Sequence, residues 1–150
     1  MKKYMRLVHY SGHNGGFDRS KFNPIRNRDF VKPSGGLWTS PVGASFGWKK
    51  WCDEGSFGDT SHSFEIDFSG NIYVIDCLED LKRMPLIKLG KLGYILYPDF
   101  EKMVKMGYDA IYLTDKGQME TRFTMPDLYG WDCECVLVMN PDCVTQVEVE

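Results

Sequence analysis

Val136-Leu137-Val138-Met139 is a continuous apolar run closed by Asn140-Pro141, and the rest of the chain is read around it. An unbroken apolar run that ends in a turn dipeptide suits a buried strand. Two acids stand just before it, Asp132 and Glu134. Side chains of an extended chain alternate faces, so these two are expected to share one face and Cys133 and Cys135 the other. A carboxylate pair at an anchored strand end suits acid/base chemistry. An acidic strand start lying in solvent is the alternative.

At 150 residues the chain is expected to form one domain, 1–150, able to bury roughly 68–70% of its unfolded surface. A net charge of −3 argues against a general nucleic-acid binder. The 14% aromatic content is high and suggests a face that stacks on something. No apolar run approaches the roughly 18 residues of a membrane span. The opening MKKYMRLVHYSG has no sustained apolar segment, so a cytoplasmic protein is expected. Cysteines 52, 77, 133, 135 and 143 are odd in number and lack disulfide or zinc spacing. They read as reduced thiols, with no metal expected. Cys133 and Cys135 are either small buried apolar groups or, with Cys143, a ligand set.

The pattern is α+β. Tyr4–Tyr10 reads as a first strand and Gly36–Ser40 as a second. Between them lies a long glycine-containing loop, with one helical turn at most. Over residues 13–33, five basic residues against two acidic ones leave it at +3. Such a loop either closes over an anion or is a solvated surface segment. Ala44–Cys52 reads as a helix carrying Trp48 and Trp51. Ser63–Phe68 alternates as a half-buried strand, Ser69-Gly70-Asn71 reads as a turn, and Ile72–Ile75 as a buried strand. Asp76 is placed as the cap of a short helix, and Tyr97–Lys105 as another. Ala110–Leu113 reads as a strand. Residues 115–130 read as an exposed loop, with a short strand possible at Thr121–Thr124. A last alternating segment covers Val144–Val149.

No GxGxxG, GxxxxGK[ST], HExxH or CxxC motif and no nucleophile elbow is present, which removes the common nucleotide, zinc-protease, thioredoxin and hydrolase readings. What survives is His9 ending strand one, Trp38 in Gly36-Leu37-Trp38-Thr39-Ser40 ahead of an aromatic-bearing helix, and Glu134 before the late strand.

In this order and setting the motifs resemble the ADP-ribosyltransferase fold, in its histidine–aromatic–glutamate branch, the diphtheria-toxin and PARP-like type found in small bacterial and phage members. The resemblance is carried by Val8-His9-Tyr10-Ser11-Gly12, by the Gly36–Ser40 motif with Trp48 behind it, by Gly107-Tyr108-Asp109-Ala110-Ile111, and by Glu134 with the run to Pro141. Three positions depart from the pattern. Tyr10 stands where a small residue is usual, Trp38 where tyrosine is, and Asp132 where arginine-modifying relatives have glutamate.

The resemblance implies two small, mainly antiparallel sheets forming an NAD cleft with a few short helices. It implies NAD+ as substrate and His9, Trp38 and Glu134 as the catalytic set. His9 would bond the adenosine-side ribose, and the Tyr10 backbone, beside Ser11, the nicotinamide carboxamide. Trp38 and Trp48 would sandwich the ring, with Ser40 nearby. Glu134 would stabilise the ribosyl cation as the glycosidic bond breaks. Arg19 and Arg26 are the candidates for the pyrophosphate. Asp132, Tyr129 and Trp131 are placed in acceptor recognition, the last two as large exposed aromatics. The implied function is a monomeric mono-ADP-ribosyltransferase modifying a protein or nucleic-acid target, as a phage or mobile-element effector acting on a host factor or immune complex. A catalytically inactive binding or inhibitor protein on the same fold and an NAD glycohydrolase are the alternatives.

Overall fold

The computed structural model describes residues 2–12, 15–28, 32–44, 46–55, 60–89, 95–126, 128 and 130–147. His13, Ser45 and Tyr129 lie outside these residues, as do the last two of the Val144–Val149 segment. Among the described residues eight strands and four short α-helices follow one another, with 3-10 turns at Arg19–Lys21 and Pro141–Cys143. β1 is Lys2–Ser11, β2 Leu37–Pro41 and β3 His62–Ile75. β4 is Leu86–Leu89, β5 Ile95–Pro98, β6 Ala110–Leu113, β7 Cys135–Val138 and β8 Val144–Gln146. The helices are α1 Trp48–Gly55, α2 Leu78–Lys82, α3 Phe100–Lys105 and α4 Asp115–Glu120.

The expected α+β class and the preponderance of antiparallel pairs are present, but the architecture is not two facing sheets. Six strands run in the order β1-β2-β7-β6-β3-β8, and β1 also pairs with β3. That extra ladder closes five of them into a small barrel, in which only β3 and β6 run parallel. β4 and β5 form a separate antiparallel hairpin.

Closure depends on the length of β3. The expected turn at Ser69-Gly70-Asn71 is not made, and the strand continues without a break for 14 residues. Its first half pairs with β1 and β8, and Ile72–Ile75 pair with β6. Asp109 secures the point of exchange. Its carboxylate accepts from the Asn71 backbone N–H at 2.8 Å and from Asn140 Nδ2 at 2.9 Å. Gly70 is required here, since a Cβ would stand 2.7 Å from that carboxylate and 2.9 Å from Cys143 Sγ.

The barrel wall separates two apolar cores by simple strand alternation. Leu7, Ile66, Phe68, Ala110, Val136 and Val138 fill the interior. The residues between them, including Ile75, Ile111, Leu113, Cys135 and Leu137, face outward and are covered by Leu81, Phe100, Met103 and Trp131. The run Val136–Met139 is therefore buried on both faces, as its unbroken apolar character requires.

Other local expectations are corrected. α1 begins at Trp48 and not Ala44, because Ala44 N–H closes a turn onto the Pro41 carbonyl. Asp76 does not cap α2. Its carboxylate takes the Thr114 hydroxyl at 2.6 Å, and Cys77 occupies the cap position without its side chain capping the helix. Tyr97 belongs to β5, and α3 starts at Phe100 behind an Asp99 cap. Residues 115–130 are not an exposed loop. α4, capped by Thr114, begins them, and Gln118, Thr121 and Leu128 are buried. The strand considered at Thr121–Thr124 is not formed.

Candidate functional site

β1 and β2 pair at Val8 and Ser40, and β2 pairs with β7 at Trp38 and Leu137. These two registers bring three distant segments together along one side of the barrel wall. A cleft of about 230 Å³ opens there, lined by Val8, His9 and Tyr10 of β1, Trp38 and Thr39 of β2, and Trp48 of α1. Lys32, Trp131, Asp132, Cys133 and Cys135 complete its walls. A second, wider groove of about 520 Å³ shares Val8, Tyr10 and Trp48 with it and continues past Ser40, Lys49 and Lys50.

Of the residues expected from the sequence, His9, Tyr10, Trp38 and Trp48 meet in the cleft. His9 Nδ1 lies 2.7 Å from the Trp38 carbonyl oxygen. A carbonyl only accepts, so Nδ1 donates to it and Nε2 is left as the ring's other polar atom. The His9 ring also packs against Phe64 at 5.1 Å. Ser40 is a buried connector rather than a cleft wall. Its hydroxyl donates to the Glu134 carbonyl at 3.0 Å and accepts from Trp48 N–H at 2.8 Å. One side chain thus fixes β2, the segment before β7 and the first turn of α1 to one another. Ser11 ends β1 opposite His62 and is outside the cleft walls.

The acids separate in a way the strand alternation does not give. Trp131 N–H closes a turn onto the Leu128 carbonyl, and the chain becomes regular only at Cys135. Asp132 therefore goes to the cleft side, in the same walls as Cys133 and Cys135, with Arg122 Nη2 at 3.4 Å. Glu134 continues the parity of Val136 and Val138, toward the barrel interior. Its carboxylate accepts a short hydrogen bond from the Tyr112 hydroxyl, and its backbone N–H donates to the Phe46 carbonyl at 3.0 Å. Burial, helped by the Glu134 carboxylate, pushes the Tyr112 hydroxyl well above its ordinary range, so it stays a donor.

Trp131 is fully buried, not exposed. Trp38 meets it edge-on at 4.8 Å, and Phe100 stacks on it at 5.7 Å. Its Nε1–H is the one buried side-chain polar atom without a hydrogen-bond partner among the described residues.

Lys32 is the residue that sequence reasoning missed. Its ammonium lies 5.1 Å from the Trp38 ring centre and 5.4 Å from that of Trp48. That geometry is a cation–π contact with both rings. The signal was its place in the basic segment, where Arg19 and Arg26 drew attention as better anion forks. Neither reaches the cleft. Arg19 pairs with Asp142 on the surface, and Arg26 bonds the Ile25 carbonyl.

The cleft thiols are inert walls. Burial pushes Cys133 up to about 12 and raises Cys135 well above its ordinary range, so neither is a thiolate near neutrality. Among the described residues no group of three His, Cys, Asp or Glu side chains is placed to hold a metal ion. No helix among them is long and apolar enough to cross a membrane.

The arrangement offers two indole rings, a histidine ring, a carboxylate in one wall and a polar groove leading away. Comparison of the chain with protein-family models, curated proteins and solved structures gives no match.

Proposed function

We propose that the protein is an NAD+-dependent mono-ADP-ribosyltransferase acting on a macromolecular acceptor, protein or nucleic acid. One observation carries this reading: His9, Tyr10, Trp38 and Trp48, distant in sequence, line one cleft that already holds a cation over two indole rings. The nicotinamide ring of NAD+ is a flat cation, and stacking between indoles suits it. The adjoining groove with Lys49 and Lys50 leaves room for the rest of the dinucleotide. In the reaction the bond from the ribose C1′ to the ring nitrogen breaks and nicotinamide leaves with the electron pair. The sugar becomes oxocarbenium-like, the acceptor nucleophile bonds to C1′, and the acceptor loses a proton. Carboxylate charge stabilises the developing cation. Glu134 is expected in that role from the resemblance, and Asp132 is the carboxylate in the cleft wall. Met119, Phe123 and Met125 stand exposed on the segment that carries Arg122, which gives the acceptor an apolar surface beside Asp132.

The test is incubation with NAD+ labelled on its adenylate half, following free nicotinamide and label on macromolecules of a lysate. Transfer predicts both signals. If Glu134 fills that role, Glu134→Gln removes most turnover while NAD+ affinity stays largely intact. If Asp132→Asn abolishes turnover and Glu134→Gln does not, the charge-stabilising role passes to Asp132. Nicotinamide release without labelling makes the protein a glycohydrolase.

A binding or inhibitor protein on the same fold is the second reading. It is favoured by the Glu134 carboxylate being held by Tyr112. It predicts NAD+ binding with no nicotinamide released.

A further inference from the structure

We propose that Trp131 is the specificity-determining residue of this cleft, its indole N–H donating to a hydrogen-bond acceptor on the edge of a flat cationic ring. The inference rests on the nucleotide reading above and adds a side-chain donor to the Tyr10 backbone contact that the resemblance implies for the carboxamide.

Three observations carry it. Trp131 lines the cleft and is fully buried, yet its Nε1–H has no acceptor among the described residues. Buried indole N–H groups usually find a partner, and an orphaned one remains desolvated without return. The ring is also fixed, with Trp38 edge-on to it and Phe100 stacked on it. A donor held in this way has no existing partner to give up when a ligand acceptor reaches it. Lastly, the slot next to it already binds a cation, the Lys32 ammonium over Trp38 and Trp48. A ligand ring that displaces Lys32 keeps the cation–π contact and gains the Trp131 donor only if it bears an acceptor. A bare cation keeps the first and gains nothing from the second.

The experiment compares two small probes by calorimetry, 1-methylnicotinamide and 1-methylpyridinium. Both are flat cations, and only the first carries a carboxamide oxygen. The native protein is expected to prefer the first by about tenfold, the effect of one net hydrogen bond. Trp131→Phe is expected to bind the pyridinium as before and to lose that preference. Because Trp131 is fully buried, the variant is checked against a measurement on the unaltered chain. In ¹⁵N-resolved spectra the Trp131 indole N–H resonance moves downfield with 1-methylnicotinamide and stays in place with 1-methylpyridinium. A preference that survives in Trp131→Phe, an indole resonance unmoved by the carboxamide probe, or failure of both rings to bind overturns the proposal. The nucleotide reading is judged separately. If NAD+ binds and the two rings bind alike, the proposal falls and that reading stands. If the rings are discriminated but NAD+ neither binds nor is consumed, that reading falls and the Trp131 site stands.

Discussion

Lys32 holds its ammonium over two indole faces that a ligand ring would also use. Each such contact stabilises by roughly 0.5–1 kcal/mol at partly exposed sites. Lys32→Gln is therefore expected to cost about 1 kcal/mol of stability and to tighten 1-methylpyridinium binding by about threefold. Weaker binding in the variant, read by calorimetry, would show that Lys32 serves the ligand instead of competing with it. Cys133 gives a second prediction at this scale. Its folded-state value is pushed up to about 12 by burial, against an ordinary thiol value of about 8.5. The folded chain keeps this proton after the unfolded chain has lost it. That stability is complete below the unfolded value and drains as pH rises toward the folded one. The urea midpoint should fall steadily between about pH 8.5 and 11, and fall less in Cys133→Ala. Cys135 and Tyr112 shift in the same direction, so the slope is only partly flattened. At this scale the sequence was partly legible. His9, Trp38 and Trp48 could be placed because each stands in a short ordered motif. Lys32 and the orphaned Trp131 donor could not, because their roles depend on which rings lie within about 6 Å, and no local pattern encodes that distance.

Among the elements, the apolar runs were the most readable. β6 and the Val136–Val138 core of β7 follow directly from theirs, since burial on both faces leaves an unbroken apolar signature. Turn residues misled in two places. Ser69-Gly70-Asn71 has turn chemistry, yet β3 runs through it, paired with Lys2–Tyr4 of β1 and held by Asp109 at the Asn71 N–H. Asp132 and Glu134 look like a same-face pair, yet the turn from Leu128 to Trp131 breaks the alternation before it begins. α4 was hidden for a related reason. Gly117 lowers helix propensity by about 1 kcal/mol against alanine, but its missing Cβ is what lets α4 approach β3. A Cβ there would stand 2.1 Å from the Ile75 carbonyl oxygen. Gly117→Ala should therefore destabilise, by about 2–3 kcal/mol as overpacking does, where an exposed helix would gain. The measurement is the urea midpoint, and an unchanged or higher value would show that α4 moves aside freely.

For the whole molecule, closure of the barrel sets what is firm and what is loose. The β1–β3 ladder joins residues about sixty positions apart, as in Met5 with Phe68. No local pattern announces such a pairing, so the strands could be read one by one but not their closure, and the two sheets came from the resemblance alone. Once formed, the ladders of β1, β2, β7, β6 and β3 have no free edge between them and should open together. The β4–β5 hairpin stands apart as a two-stranded sheet, a form that is marginal without outside support. In native-state hydrogen exchange, amides of β7 and β6 are expected to exchange only through global unfolding, and those of residues 86–89 and 95–98 through a smaller opening. Equal protection in the hairpin and in β7 would mean that the hairpin is part of the same cooperative unit.

The crowding of indoles has an optical consequence. The chain has four tryptophans. Three of them, Trp38, Trp48 and Trp131, line the cleft, and Trp51 stacks on Trp48 at 5.1 Å. Every tryptophan chromophore of the molecule thus reports from one neighbourhood. The tryptophan part of the near-ultraviolet dichroism and emission reads that neighbourhood, with no distant tryptophan to dilute it. The native protein comes already labelled at its candidate site.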